Sequence, residues 1–177
     1  MRKYCLSLLL LLLIQVSNAA EPPKREIRGV WLTTVYGLDW PHKPATTEAG
    51  RRVQQRDVCD ILDRLQDANF NTVFLQVRLR GDVIWRSAIE PASKTFSGKY
   101  GTMPGYDPLA FVIDECHKRG MECHAWFVTF PLGTDKSVKE QGKLSVVKRP
   151  SRNCASVITA NGIWTPVFPE LPTIFCP

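Results

Sequence analysis

Beyond its first 20 residues the 177-residue chain lacks any apolar run near the roughly 20 residues that a bilayer-crossing helix needs. A polytopic membrane protein is thereby excluded. Like charge is not gathered into blocks either. The 23 Lys and Arg alternate with 17 Asp and Glu, so the net charge of +6 does not point to nucleic acid as a partner. Six cysteines make no CxxC pair, which argues against zinc or redox work. Thirteen Pro and 11 Gly are spread along the chain without a period, which excludes collagen-like and low-complexity classes. With 44% apolar and 23% charged residues, one globular domain is the expectation.

What is present begins with a leader. Arg2 and Lys3 precede the apolar residues 6–14, and Ser17-Asn18-Ala19 places small side chains where a signal peptidase reads. Residues 1–20 are read as a signal peptide, so the mature chain is expected to be exported, to the periplasm or cell envelope, with no stable membrane span. Its removal takes two positive charges and Cys5 with it. Cys59, Cys116, Cys123, Cys154 and Cys176 remain, an odd and unpatterned set better suited to buried thiols than to a disulfide scaffold.

Residues 27–34 (IRGVWLTT) are rich in β-formers and predict a strand. From Val53, the spacing of Val58, Ile61, Leu62, Leu65 and Ala68 predicts an amphipathic helix, whose Asp and Arg residues form a solvated face. Residues 72–79 (TVFLQVRL) predict a second strand, followed by a long loop over 80–106. Asp107-Pro108 is a helix start and Gly120, after Lys118 and Arg119, a stop. Residues 121–130 predict a third strand. The order βαβαβ calls for parallel strands with helical crossovers.

Alternation divides each strand. Val73, Leu75, Val77 and Leu79 share one side and Phe74, Gln76 and Arg78 the other. Met121, Cys123, Ala125 and Phe127 are expected to face helices, with His124 and Trp126 opposite; Trp31 and Thr33 fall together on the first strand. A doubly wound sheet would be apolar on both faces and would carry a glycine-rich phosphate turn after its first strand, which is missing. Residues 101–105 (GTMPG) lack the lysine and helix of a phosphate loop. The pattern favours a (β/α)8 TIM barrel, with the active site at the C-terminal strand ends.

Three ordered motifs then carry a resemblance. REIRGVWLTTVYGLDWP (25–41), NTVFLQVRLRGDVIW (71–85) and PGYDPLAFVIDECHKRGMECHAWF (104–127) resemble the N-terminal part of the bacterial glycosyl-hydrolase-10-like family. The resemblance implies an envelope TIM barrel whose relatives act on peptidoglycan glycan strands, without an organic cofactor. It covers residues 25–149, so residues 21–149 are expected to be a partial barrel domain of about three parallel strands and two main helices. The family barrel needs eight strands, so the chain reads as truncated. Residues 150–177 are expected to be an irregular tail with five prolines and no amphipathic period. Codons for 156–177 that, read two bases later, yield a W-x-LDPG-x-P stretch of the family's kind make a frameshift near Arg149 one account of it.

Glycoside hydrolysis ordinarily uses two carboxyl groups. The resemblance implies that acidic residues beyond the fourth strand belong to the full site. Locally, Asp82 in the RGD stretch is the catalytic candidate, with loop capping or pairing to Arg80 as the alternative; Asp39 ranks below it. Gln76 and Arg78 offer directional donors for sugar hydroxyls or acyl-amino groups, and Arg78 serves equally for a buried ion pair. His124 and Trp126 on the inward face suit a substrate oxygen and a sugar ring, against a satisfied core histidine. Trp85, Tyr106 and Trp40 are candidates for a carbohydrate platform on the rim, or for loop packing. His117 and His124 lack a third ligand, so no metal site is expected. The competing readings are a non-catalytic carbohydrate-binding module and a truncated product with no function.

Overall fold

The computed structural model describes residues 26–148, 155–158 and 163–167; the leader, Cys154 and Cys176 lie outside them. Strands β1 (Gly29–Leu32), β2 (Thr72–Arg78) and β3 (Glu122–Phe127) form a parallel sheet in the order β1-β2-β3. Val30 lies opposite Val73, and Val73 opposite Cys123. The crossovers are helices α1 (Glu48–Asp67) and α3 (Pro108–Lys118), with the one-turn α2 (Lys94–Ser97) between them. Sequential parallel strands joined by helices make this part of a TIM barrel, as the alternation of apolar positions requires.

Local signals set the helix ends. Helix α1 begins five residues before Val53, where the apolar period starts, because Thr47 caps it: its hydroxyl accepts the Gly50 amide at 3.1 Å. Asp107 caps α3 in the same way through the Ala110 amide, also at 3.1 Å. Beyond α3 the chain turns at Gly120, whose φ of +69° a residue with a Cβ adopts only under strain.

The core lies between the helices and one face of the sheet. Val73, Leu75 and Val77 of β2 are fully buried against Val58 and Leu62 of α1 and Val112 and Cys116 of α3. Burial on this scale, at about 25 cal/mol per Å² of apolar surface, is the main force holding the crossovers to the sheet. The long 80–106 connection is folded into the same core rather than extended. Val83 bridges Arg78 and Ala92, and Val83, Ile84 and Phe96 are buried. Ala125 and Phe127, expected to face helices, are exposed; among the described residues β3 is the edge of the sheet.

The opposite sheet face is aromatic. Trp31 stacks on Phe74 with ring centres 4.9 Å apart, and Trp126 meets Trp31 edge-on at 4.9 Å. Trp31 is nevertheless 57% exposed, since no second layer covers this face among the described residues.

After β3 come β4 (Gly133–Thr134), α4 (Asp135–Gln141) and two single 3-10 turns. Strands β5 (Ala155–Ile158) and β6 (Ile163–Val167) follow, in an antiparallel sheet of order β4-β6-β5. Part of the segment expected to be an irregular tail is therefore strand. Pro166 lies past the two-residue β4, where β6 has a neighbour on one side only, so its missing amide is tolerated there. No helix among the described residues is long and apolar enough to cross a membrane.

Candidate functional site

The loops that leave β1, β2 and β3 enclose a cleft of about 250 Å³ at the C-terminal strand ends. Thr34, Val35 and Tyr36 come from the first loop, Arg80, Asp82, Ser93, Lys94 and Tyr100 from the second, and Thr134, Lys136, Ser137 and Glu140 from the third. The third loop contributes because Thr134 caps α4 through the Ser137 amide at 3.2 Å, turning Lys136 and Glu140 onto one helix face.

Asp82 is the one acidic candidate from the sequence that reaches this cleft. Its side chain is nearly buried, and that burial pushes its carboxyl above the usual range. Ser93 and the Arg80 backbone oppose the shift. Glu140 has the opposite bias: an ion pair and hydrogen bond from Lys94 hold it below the usual carboxylate range. Lys94 also lies over the Tyr100 ring, 5.2 Å from its centre. Burial, with the negative charges of Asp82 and Glu140, pushes the Tyr100 phenol up to about 12, so it stays a donor at neutral pH. Arg80 donates to the Tyr36 hydroxyl and sits 4.7 Å from that ring centre. The wall therefore carries one carboxyl raised by burial, one lowered by its lysine partner, and three cationic side chains.

The other sequence candidates lie elsewhere. Gln76 is buried, and its Oε1 accepts the Thr34 and Val35 amides at 3.0 and 2.9 Å, fastening the end of β1 to β2. Arg78 forms a two-pronged pair with Glu90 at 2.7 and 2.6 Å and donates to the Val128 and Thr129 carbonyls, so its fork is engaged within the protein. Trp40 is not on the rim. It is fully buried, edge-on to Phe96 at 4.9 Å, with Nε1 donating to the Gln54 carbonyl at 2.8 Å. Tyr106 donates to Gln54 Oε1 at 3.0 Å and packs edge-on against Phe111, between the helices. Trp85 is half-buried against Phe127, with ring centres 5.8 Å apart. His124 and Trp126 stay on the aromatic sheet face; His124 is exposed, its Nε2 2.8 Å from Glu122 Oε2. Asp39 accepts the Thr33 amide and hydroxyl at 2.8 and 2.7 Å, which closes its own loop.

Sequence reasoning missed Tyr36, Arg80, Lys94, Tyr100, Lys136 and Glu140. One signal was available: Thr134 directly before the acidic Asp135 is a helix-start pattern, and Lys136 and Glu140 are spaced i, i+4 within that helix. The remainder converge from loops that carry no periodicity. No group of three or more His, Cys, Asp or Glu among the described residues is placed to hold a metal.

Sequence comparison now adds to this geometry: residues 26–175 match the glycosyl hydrolase-like 10 family. The chain belongs to that family. Its three motifs form β1, β2 with the start of its loop, and the α3–β3 unit, and the match runs to residue 175, beyond residue 149, where the resemblance carried by the motifs ends. The chain is 50% identical over 111 residues to glycosyl hydrolase DigH of Escherichia coli K12, covering 60% of this chain and 25% of that protein. It is 34% identical over 148 residues to glycosyl hydrolase YngK of Bacillus subtilis 168, covering 84% of this chain and 28% of that protein. The chain thus spans about a quarter of the length of these curated relatives.

Proposed function

We propose that the chain forms part of the cleft of a glycoside hydrolase acting on bacterial envelope glycans of the peptidoglycan type, with Asp82 as its proton-donating carboxyl. One observation carries the reading: Asp82 and Glu140 line one cleft at the C-terminal strand ends, where barrel enzymes place their chemistry, with burial raising the first carboxyl and the Lys94 ion pair lowering the second. Cleavage of a glycosidic bond needs a carboxyl that arrives protonated at the leaving oxygen, and two carboxyls biased apart are the usual signature of that division of labour. On this reading other strands of the family barrel supply the remaining carboxylates. Export fits the same substrate. Arg2, Lys3, the apolar residues 6–14 and Ser17-Asn18-Ala19 support secretion, and N-terminal sequencing of the mature protein is expected to begin at Glu21.

The test measures reducing ends released from purified glycan strands by the chain and by Asp82→Asn. Release that the substitution abolishes supports the hydrolase. Release that Asp82→Asn leaves unchanged refutes the assignment of Asp82. The stability of the variant gives a second check. A carboxyl raised by burial destabilises the fold once pH climbs through its folded value, so Asp82→Asn is expected to stabilise at neutral pH, with the gain vanishing on acidification.

The exposed aromatic face of Trp31, Phe74 and Trp126 favours a second reading, a carbohydrate-binding module without catalysis. Glycan retention without release, lost in Trp31→Ala, would establish that reading in place of the first.

A further inference from the structure

The turn between α3 and β3 brings together two cysteines that nothing in their spacing pairs. Cys116 lies in the last turn of α3 and is fully buried. Cys123 is the second residue of β3, opposite Val73 on the helix-facing side, and is half-buried against the same core cluster. The turn is tight: the Arg119 and Met121 amides both donate to the Cys116 carbonyl at 3.0 Å. That closure sets the helix end over the strand start, where Cys116 belongs to the core cluster and Cys123 packs against it. Both thiols are free. Cys59, the other described cysteine, is turned to Glu115 instead, 3.6 Å from its Oε2.

We propose that Cys116 and Cys123 are a reversible disulfide site that staples the end of α3 to β3. Access orders the chemistry, because reagents reach the half-buried Cys123 while Cys116 is covered. The Cys123 thiolate attacks a small disulfide such as oxidised glutathione, whose S–S bond breaks and releases one glutathione thiol. Cys116 gives up its proton and attacks the Cys123 sulfur of the mixed disulfide, expelling the second glutathione thiol. The two protein sulfurs lose two electrons to form one S–S bond, and one glutathione disulfide is reduced to two thiols. Neighbouring Cys116 and His124 bias Cys123 toward the thiolate, which suits it to the first step.

The test incubates the full chain with oxidised glutathione, blocks remaining thiols by alkylation, and maps tryptic peptides by mass spectrometry. The expected product joins peptide 100–118 to peptide 120–136, two hydrogens lighter than their sum, and dithiothreitol reverses it. The oxidised chain is expected to unfold at a higher temperature than the reduced one, with the same shift in Cys59→Ser and none in Cys116→Ala or Cys123→Ser. A stable glutathione adduct at Cys123 with Cys116 still alkylatable after unfolding would overturn the proposal. So would a link from either residue to Cys59, Cys154 or Cys176 in its place.

Discussion

Replacing Glu90 with Gln is expected to cost the fold about 3 kcal/mol, and the number follows from where Arg78 sits. Arg78 Nε and Nη2 donate to the two Glu90 carboxylate oxygens at 2.7 and 2.6 Å, and Nη1 donates to the Val128 and Thr129 carbonyls at 2.7 and 3.0 Å. One guanidinium thereby ties the end of β2 to its following loop and to the chain leaving β3. Both side chains of the pair are only 13% exposed. Breaking a buried pair by removing one partner costs about 3–5 kcal/mol, because the remaining charge is left uncompensated. The lower end applies here, since the two carbonyls still receive the cation. At roughly 2–4 °C per kcal/mol for a chain of this size, the melting temperature should fall by about 6–12 °C. Arg78→Met is expected to lose a similar amount. The double variant should recover much of the loss, since no orphan charge remains, and urea unfolding followed by tryptophan fluorescence measures all three. Single losses below about 1 kcal/mol that simply add would refute the structural role of the pair. Loss of glycan binding at unchanged stability would return Arg78 to the sugar-binding role its strand position also allowed.

Trp40→Phe removes the donor to the buried Gln54 carbonyl and part of the volume against Phe96, so it is expected to cost about 2–3 kcal/mol in the same urea assay, with glycan retention by the folded protein unchanged. Glu115 receives hydrogen bonds from Lys118 and Arg119, which hold its carboxyl down to about 2. Its contribution is present above the ordinary value of 4.5 and is lost as pH falls through about 2. Solvent screening leaves about 1 kcal/mol of it. Glu115→Gln should therefore be less stable than the parent at neutral pH and match it near pH 2 in a pH series of thermal melts.

Legibility followed distance along the chain. The three strands, the apolar stripe of α1 and the cap at Asp107 were readable because each signal lies within a few residues of its effect. The apolar period alone sets the onset of α1 too late, because Thr47, which caps it, precedes that period. Helix α4 went unread although its cap and its Lys136–Glu140 spacing were available. Among the candidate site residues, the place of Asp82 in the cleft wall is legible because it lies just past a predicted strand end. Trp40 was misplaced because an aromatic beside a proline looks the same whether its loop folds outward or, as here, under Phe96.

The sequence by itself determined the alternation of strands and helices, which side chains share a strand face, and through three motifs the family. Those properties follow from backbone geometry and residue order alone. Only the tertiary structure decided that Gln76 and Arg78 bind their own protein, that Lys94, Tyr100 and Glu140 line one cleft with Asp82, and that Cys116 and Cys123 pack into one core. A polar side chain on a strand has several partners of equal chemical merit. Which one it takes depends on loops dozens of residues away being folded against it, and on the water that folding removes.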